Sequence, residues 1–329
     1  LQMAATESDK LITSGRYEIY NTGHPQEDYF NMYRIDDKSD LKEAVLYVDY
    51  KTNIREHNMA AAGREAGCGF SKSFVESFLC SDGLPISLSN KYLGDETMRK
   101  ETANRDPRLK QLILTNDFLT NVTDDLKDST FVVNEDEFIT QHCFTGYRPI
   151  KGFNPIYSQA LYMKSSFDGI AYRYAETLLI NAEAKAELNT ITDADLDRTI
   201  NQLRDRVGMP HLTVNVGFTD PKWPDWGYSL SPILQEIRRE RCIELAGEGF
   251  RFNDLKRWKA GKVLNNVLTY VGKRKPDGNL AIVYPNYTNP DLSYQAGKSR
   301  TWEDKMYLYP IPTGELQRNP QLLPQNPGW

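Results

Sequence analysis

The feature that most constrains the fold is an apolar stripe made largely of small side chains. From Asp168 onward, apolar residues recur at three- and four-residue spacing, at Ala171, Ala175, Leu178, Leu179, Ala182 and Ala186. This period predicts an amphipathic helix with one buried face. Because alanine side chains are small, a neighbouring helix can approach this face closely.

Two further helices are predicted after this stripe. Thr192 and Asp195 have the spacing of a capping box, and Gly208 and Pro210 supply a stop. The residues between them place one apolar face on the helix: Leu196, Ile200, Leu203 and Val207. The third helix begins with Ser231 as its cap and Pro232 at its first position, and runs to about Gly247.

The first two of these helices are expected to form an antiparallel hairpin like one tetratricopeptide unit. Such a unit needs neighbours to bury its faces. Residues 4–14 have the pattern of a helix tail that ends at Gly15. We therefore expect a helical half upstream of Leu1.

The rest of the chain predicts shorter elements. A short helix is expected over 25–35, a strand over 44–51 and a helix over 71–79, followed by a turn at 81–85. Residues 86–167 have several short apolar runs broken by Asn, Asp, Gly and Pro. The sequence therefore predicts a mainly α fold with a loop-rich part and a few short strands.

Composition excludes several kinds of partner. The chain has 329 residues, of which 40% are hydrophobic and 26% charged, enough for one large or two small domains. A formal net charge of −5 without a basic stripe argues against nucleic acid. No apolar run approaches the length of a membrane span.

No metal or cofactor site is indicated by the cysteines and histidines. Neither residue type occurs at zinc-ligand spacing. We interpret the adjacent His142 and Cys143 as ordinary packed residues, because neighbouring side chains usually point apart. The full set is Cys68, Cys80, Cys143, Cys242, His24, His57, His142 and His211.

Charged residues interrupt the apolar face of the third helix. At 100° per residue, Arg241, Glu244 and Glu248 fall at the centre of a face formed by Leu230, Ile233, Leu234, Ile237 and Leu245. Buried charges need partners, so we predict a structural ion-pair network. Its other members are expected nearby in sequence, among Arg238, Arg239, Arg251, Asp254 and Arg257.

An alternative interpretation makes these acids catalytic. Glu240 or Glu244, paired with Asp254, would then be the two carboxylates of a glycosidase. A general acid needs a raised pKa, whereas the surrounding arginines favour ionised carboxylates. We favour the structural interpretation.

The same helix carries a family resemblance. RRERCIELAGEGFRFNDLKRW at 238–258 resembles the signature of the SusD/RagB family. Further matches follow in family order: SFLCSDGLPI at 77–86, NRDPRL at 104–109, YRYAETLLINAEA at 172–184, INQLRDRVGMP at 200–210 and YPIPTGELQRNPQLLPQNPGW at 309–329. These matches extend across most of the chain from about residue 70. The first 70 residues are compatible with the family but less distinctive.

The resemblance implies a fold and a setting. Family members have a helical, tetratricopeptide-like scaffold covered by a loop-rich C-terminal part, so residues 1–329 are expected to be the C-terminal domain, without the upstream tetratricopeptide-like half. They are outer-membrane lipoproteins on the extracellular face, anchored through a lipidated N-terminal cysteine. They deliver nutrient to a SusC-like TonB-dependent transporter. The family pattern has no catalytic residues.

The resemblance implies an oligosaccharide as the ligand, and the chain is rich in aromatic residues that can stack on sugar rings. The loop TDPKWPDWGY contributes the main candidates, Trp223, Trp226 and Tyr228. Weaker candidates are Tyr92, Tyr147 and Arg148. Two alternatives stay open: a peptide-binding relative with the same scaffold, and a glycoside hydrolase.

Overall fold

Short helices dominate the computed structural model, which describes residues 1–60, 69–122, 129–131, 135–139, 143–282 and 300–329. In chain order, helices α1 to α12 span Gln2–Thr13, Asp28–Asn31, Lys72–Ser77, Met98–Thr102, Arg108–Leu112, Tyr157–Ala160, Tyr174–Glu187, Asp193–Asp197, Ile200–Arg206, Pro232–Glu244, Phe250–Arg257 and Thr313–Arg318. Single 3-10 turns occur at Met32–Arg34, Glu135–Phe138, Gly261–Asn265, Val267–Thr269, Asp304–Tyr307 and Pro320–Leu322.

The strands form two-stranded antiparallel ribbons. Strands β1 to β6 span Ala44–Val48, Leu119–Val122, Ser129–Phe131, Gly169–Arg173, Val271–Arg274 and Leu280–Ile282. β1 pairs with β4, with Ala44 opposite Arg173, while β2 pairs with β3 and β5 with β6. The β1–β4 ribbon is thus formed by segments far apart in sequence.

Helix α7 carries the small-residue stripe and packs mainly between α1 and α10, with α9 as a lesser neighbour. Its Asn181 side chain donates hydrogen bonds to the Ala5 carbonyl (3.2 Å) and to Ser8 Oγ (2.9 Å). The predicted stripe is buried from Ala175 to Ala186. Ala171 is the exception, because residues 169–173 form β4 and leave Ala171 exposed.

The second predicted helix is interrupted. The Thr192–Asp195 capping box is present at the start of α8, and Leu196, Ile200 and Leu203 are buried as predicted. The helical hydrogen bonds stop at Thr199, whose backbone has φ −130° and ψ −93°. Its hydroxyl donates to the Asp195 carbonyl at 2.6 Å, and this local bond competes with continued helix formation.

Helix α10 begins at Pro232 as predicted but ends at Glu244 rather than near Gly247. Ser231 precedes it without a side-chain capping bond. Gly247 and Gly249 both have positive φ, +76° and +85°, which glycine adopts without steric cost. The chain therefore turns sharply between α10 and α11, and Glu248 lies in this turn.

Loop-rich structure covers the helices, as the sequence predicts. Besides the buried apolar residues around α7, a second buried cluster contains residues from distant segments, among them Tyr29, Phe78, Leu109, Leu112 and Ile243. A third, smaller one surrounds Trp226 and Trp258. In the described part of the chain, no helix is both long and apolar enough to cross a membrane.

Candidate functional site

The structure separates the three aromatic residues of the loop 219–228. Trp226 is only 3% exposed and belongs to the cluster of Leu255, Trp258 and Ala260. Its ring meets Trp258 edge to face, with centroids 5.5 Å apart, and its Nε1–H donates to Gln235 Oε1 at 2.6 Å. The prediction that Trp226 offers a stacking surface is therefore wrong, since a large apolar ring with a satisfied N–H is stable inside.

Trp223 and Tyr228 remain at the surface of the same loop. Trp223 is half-buried, and its Nε1–H donates to Glu236 Oε1 at 2.7 Å. Tyr228 is 42% exposed. Its hydroxyl donates to the Trp258 carbonyl (2.6 Å) and accepts from Arg238 Nη1 (2.9 Å). Both rings are thus held in place by hydrogen bonds, and their role in binding stays a prediction.

The weaker ligand candidates, Tyr92, Tyr147 and Arg148, are buried or half-buried. Tyr147 is fully buried and donates to both oxygens of Glu101, at 2.8 and 2.9 Å, so its prediction as a ligand contact is wrong. Tyr92 is half-buried, with the Arg105 guanidinium 5.3 Å from its ring centroid. Burial raises the pKa of Tyr92. Arg148 is half-buried, and its carbonyl accepts from the Leu114 N–H at 2.8 Å.

A buried cluster of charges connects the sequence motifs. We call it the charge cluster. It consists of five basic and five acidic side chains that form salt bridges with one another, namely Arg108, Arg173, Arg204, Arg206, Lys151, Glu43, Asp106, Glu240, Glu244 and Glu248. Equal numbers of opposite charges offset the cost of removing them from water.

Glu244 lies at the centre of the charge cluster and is fully buried. Its carboxylate accepts from Arg173 Nη1 (2.6 Å), Arg206 Nη2 (2.7 Å to each oxygen) and Arg108 Nη1 (3.0 Å). Arg108 also contacts Glu240. Burial alone would raise the pKa of Glu244, but the three arginine charges lower that pKa well below its ordinary value.

Glu248 extends the cluster toward the surface. Its side chain is 18% exposed and accepts from Arg173 Nη2 (2.7 Å) and Lys151 Nζ (2.6 Å). Burial raises the pKa of Glu248, and the charges of Arg173 and Lys151 outweigh this effect and lower the pKa to about 2. Burial in turn lowers the pKa of Lys151 to about 8, against the opposing effect of Glu248.

The partners of Glu244 differ from those expected. The arginines close in sequence do not reach it: Arg238 pairs with Glu187 at 2.9 Å, and Arg241 with Asp254 at 2.9 Å. Arg251 has no salt bridge within the described residues and lies over the indole rings of Trp226 and Trp258, 5.8 and 5.9 Å from their centroids. Including Arg251 in the ion-pair network was therefore wrong.

One signal could have pointed to the true partners. Arg108, Arg173 and Arg206 lie within NRDPRL, YRYAETLLINAEA and INQLRDRVGMP, three of the strings that carry the family resemblance. The motifs of the sequence therefore meet in three dimensions at Glu244. Glu43, which pairs with Arg173 at 2.9 Å, had no such signal.

The acids proposed for hydrolysis do not form a catalytic pair. Glu240 and Glu244 contact the same Arg108 Nη1 atom, and both side chains are buried away from solvent. A general acid requires a raised pKa, whereas the pKa of Glu244 is lowered. Asp254 is buried and paired with Arg241 and Arg257. The hydrolase interpretation of these residues is therefore wrong.

Metal-binding groups are scattered over the described ranges. No group of three or more His, Cys, Asp or Glu side chains within those ranges is arranged to hold a metal ion. Cys80 and Cys143 are buried free thiols, and Cys242 is half-buried. Cys68 and His142 lie outside the described residues.

Comparisons with known proteins agree with this architecture. A profile of the SusD family matches residues 16–329. A SusD-like protein P2 from Formosa agariphila is 31% identical over 166 residues, which are 50% of this chain and 27% of that protein. A SusD-like protein from Bacteroides fragilis has 25% identity and a TM-score of 0.68, over 100% of this chain and 63% of that one.

A second Bacteroides fragilis structure, described as a SusD-like carbohydrate binding protein, has 24% identity and a TM-score of 0.66, over 97% of this chain and 60% of that one. The chain thus spans less than two thirds of the length of these relatives. The fold, a helical scaffold with a loop-rich cover, is thus that of the SusD-like class. The chain belongs to the SusD family, and the resemblance found in the sequence is confirmed.

Proposed function

We propose that this chain is part of a surface lipoprotein that captures an oligosaccharide and delivers it to a SusC-like TonB-dependent transporter at the outer membrane. The observation that carries the proposal is the family match over residues 16–329. In this proposal the chain binds and does not hydrolyse its ligand. The loop 219–228 contributes to capture through Tyr228 and Trp223.

Tyr228 has the properties of a preorganised sugar platform. Its hydroxyl is tied to Trp258 and Arg238, so the ring orientation is set before a ligand arrives. A fixed aromatic face loses little conformational entropy on binding. One face of a sugar ring presents C–H groups, which pack against an aromatic ring without unsatisfied hydroxyls.

Trp223 is the second candidate on this loop and lies three residues before the buried Trp226. Its N–H is bonded to Glu236, and its ring lies 6.2 Å from that of Phe218 at an interplanar angle of 32°. Because the indole N–H is already satisfied, the exposed part of Trp223 is available for apolar contact. The buried Trp226 anchors the loop that carries both residues.

Calorimetry with the full-length protein tests this proposal. The panel contains maltohexaose, cellohexaose, xylohexaose, mannohexaose and laminarihexaose, together with a random-sequence decapeptide pool. For an oligosaccharide that binds, Trp223→Ala and Tyr228→Ala should each reduce the affinity by about 1 to 3 kcal/mol, as expected for an aromatic hot spot. Their melting temperatures should stay close to that of the wild type.

Two further variants separate the possible results. Tyr228→Phe keeps the ring and removes its tether, so it should weaken binding less than Tyr228→Ala. Tyr162→Ala is the control, because Tyr162 is 73% exposed and lies on another loop. Binding of the decapeptide pool alone would favour the peptide-binding alternative. Release of new reducing ends from any panel member would contradict a purely binding role.

A further inference from the structure

An open pocket of about 500 Å³ lies where the end of α1, the following segment 17–21, the first residue of α7 and helix α9 meet. This volume is within the usual range of ligand pockets. Its lining residues are Ile12, Tyr17, Glu18, Ile19, Asn21, Tyr174, Arg198, Gln202 and Asp205. None of them belongs to the charge cluster or to the loop 219–228.

One wall of the pocket is aromatic. The rings of Tyr17 and Tyr174 are stacked, with centroids 6.0 Å apart and an interplanar angle of 28°. Tyr174 is only 3% exposed and is fixed by its place at the start of α7, where its N–H donates to the Glu43 carbonyl at 2.8 Å. Tyr17 is half-buried. The buried ring therefore supports the accessible one in a set orientation.

Another part of the lining is polar. Gln202 and Asp205 are three residues apart on α9, which places them on one side of that helix, and Gln202 Nε2 donates to the Arg198 carbonyl at 2.9 Å. Arg198 is held by Asp9 Oδ1 (3.2 Å) and Asp195 Oδ1 (3.0 Å), and it remains 41% exposed. The Asp205 side chain is 55% exposed, with His211 Nε2 2.7 Å from its Oδ1.

These two walls indicate the chemistry of the ligand. The charged lining residues are one cation, Arg198, and two acids, Glu18 and Asp205, so a phosphate or another strong anion would meet net repulsion. A purely apolar ligand would cover the exposed parts of the carboxylate, amide and guanidinium and remove their contacts with water without replacing them. A neutral ligand with one apolar face and several hydroxyls satisfies both walls, and a sugar ring has this form.

We propose that this pocket is a second saccharide subsite, in which a sugar ring stacks on Tyr17 while its hydroxyls hydrogen-bond with Gln202, Asp205 and Arg198. The inference rests on the proposed glycan-binding function and adds a place of contact that is separate from the loop 219–228. It assigns binding to the helical side of the chain, between α1 and α9.

The test uses the full-length protein, the same hexasaccharide panel and two substitutions of accessible residues. Tyr17→Ala removes the stacking ring, and Gln202→Trp fills the pocket with a bulky side chain. For any hexasaccharide bound by the wild type, we expect at least a tenfold increase in Kd for both variants. Tyr17→Phe should bind within about threefold of the wild type, because the ring is retained. Circular dichroism and melting temperature establish that each variant is folded.

The outcomes distinguish this inference from the function on which it depends. If the wild type binds none of the oligosaccharides, the proposed function is overturned and the subsite with it. Should folded Tyr17→Ala and Gln202→Trp proteins bind as the wild type does, the subsite alone is overturned. Loss of binding in these variants but not in the Tyr162→Ala control supports the inference.

Discussion

Replacing Glu244 by glutamine tests whether the charge cluster holds the fold together. The substitution preserves the shape of the side chain but removes its charge. The carboxylate of Glu244 accepts four hydrogen bonds from three buried arginines. An amide has one oxygen to accept them, and its NH₂ group faces donors that it cannot satisfy. The variant therefore leaves buried cations short of a partner.

The arginines are affected unequally. Arg173 keeps Glu43 at 2.9 Å and Glu248 at 2.7 Å, and Arg108 keeps Asp106 at 2.7 Å. Among the described residues, Glu43, at 3.4 Å, is the only acidic partner that Arg206 keeps. Most of the cost thus comes from Arg206. Breaking a buried ion pair on one side typically costs about 3 to 5 kcal/mol, and we expect a loss in this range.

Urea unfolding, followed by circular dichroism and tryptophan fluorescence, measures the effect as a shift of the midpoint at constant slope. Glu315→Gln is the control, because Glu315 forms an exposed pair with Arg318. In the double variant Glu244→Gln/Arg206→Met, the stranded cation is removed, so the loss should be smaller than the sum of the two single losses by at least about 1 kcal/mol. A Glu244→Gln midpoint equal to that of the control would refute the reasoning.

Two further predictions concern the buried Trp226 and the carboxylate of Glu248. Trp226→Ala should lower the free energy of unfolding by about 3 to 5 kcal/mol, because it opens a cavity beside Trp258; a melting temperature equal to that of wild type would show that this ring is not core. Acid should also destabilise the fold. The pKa of Glu248 is about 2 in the folded chain and about 4.3 when unfolded, so the unfolded state binds more protons between these values and stability falls as pH drops from about 5 to 2. The measurement is the decrease in urea midpoint from pH 5 to pH 3. This decrease should be smaller for Glu248→Gln than for the wild type, and an equal decrease would contradict the lowered pKa of Glu248.

Local patterns in the sequence determined much of the secondary structure. The stripe from Ala175 to Ala186 and the capping box at Thr192 depend on residues within a few positions of each other, and both form as predicted. Positive-φ glycines at 208 and 247 end or redirect the chain near the expected places. The family motifs are equally local strings, which is why membership could be inferred before any coordinates.

Local sequence patterns could not determine which aromatic side chains are exposed. Trp223, Trp226 and Tyr228 lie within six positions in one loop, yet only Trp226 is buried. A loop has no regular period, so the spacing of its residues does not reveal which side chains face the core. Burial of Trp226 depends on Trp258 and Leu255, which are supplied by another helix.

The sequence by itself predicted that Glu244 needs buried cations, because its position in an apolar face follows from helical geometry. Only the tertiary structure decided which cations these are. Arg108, Arg173 and Arg206 come from segments 38 to 136 residues away from Glu244, and no local period relates them to it. Helical spacing acts over a few residues, whereas an ion pair can join any two charges that folding brings within about 4 Å, and that proximity is a property of the whole chain.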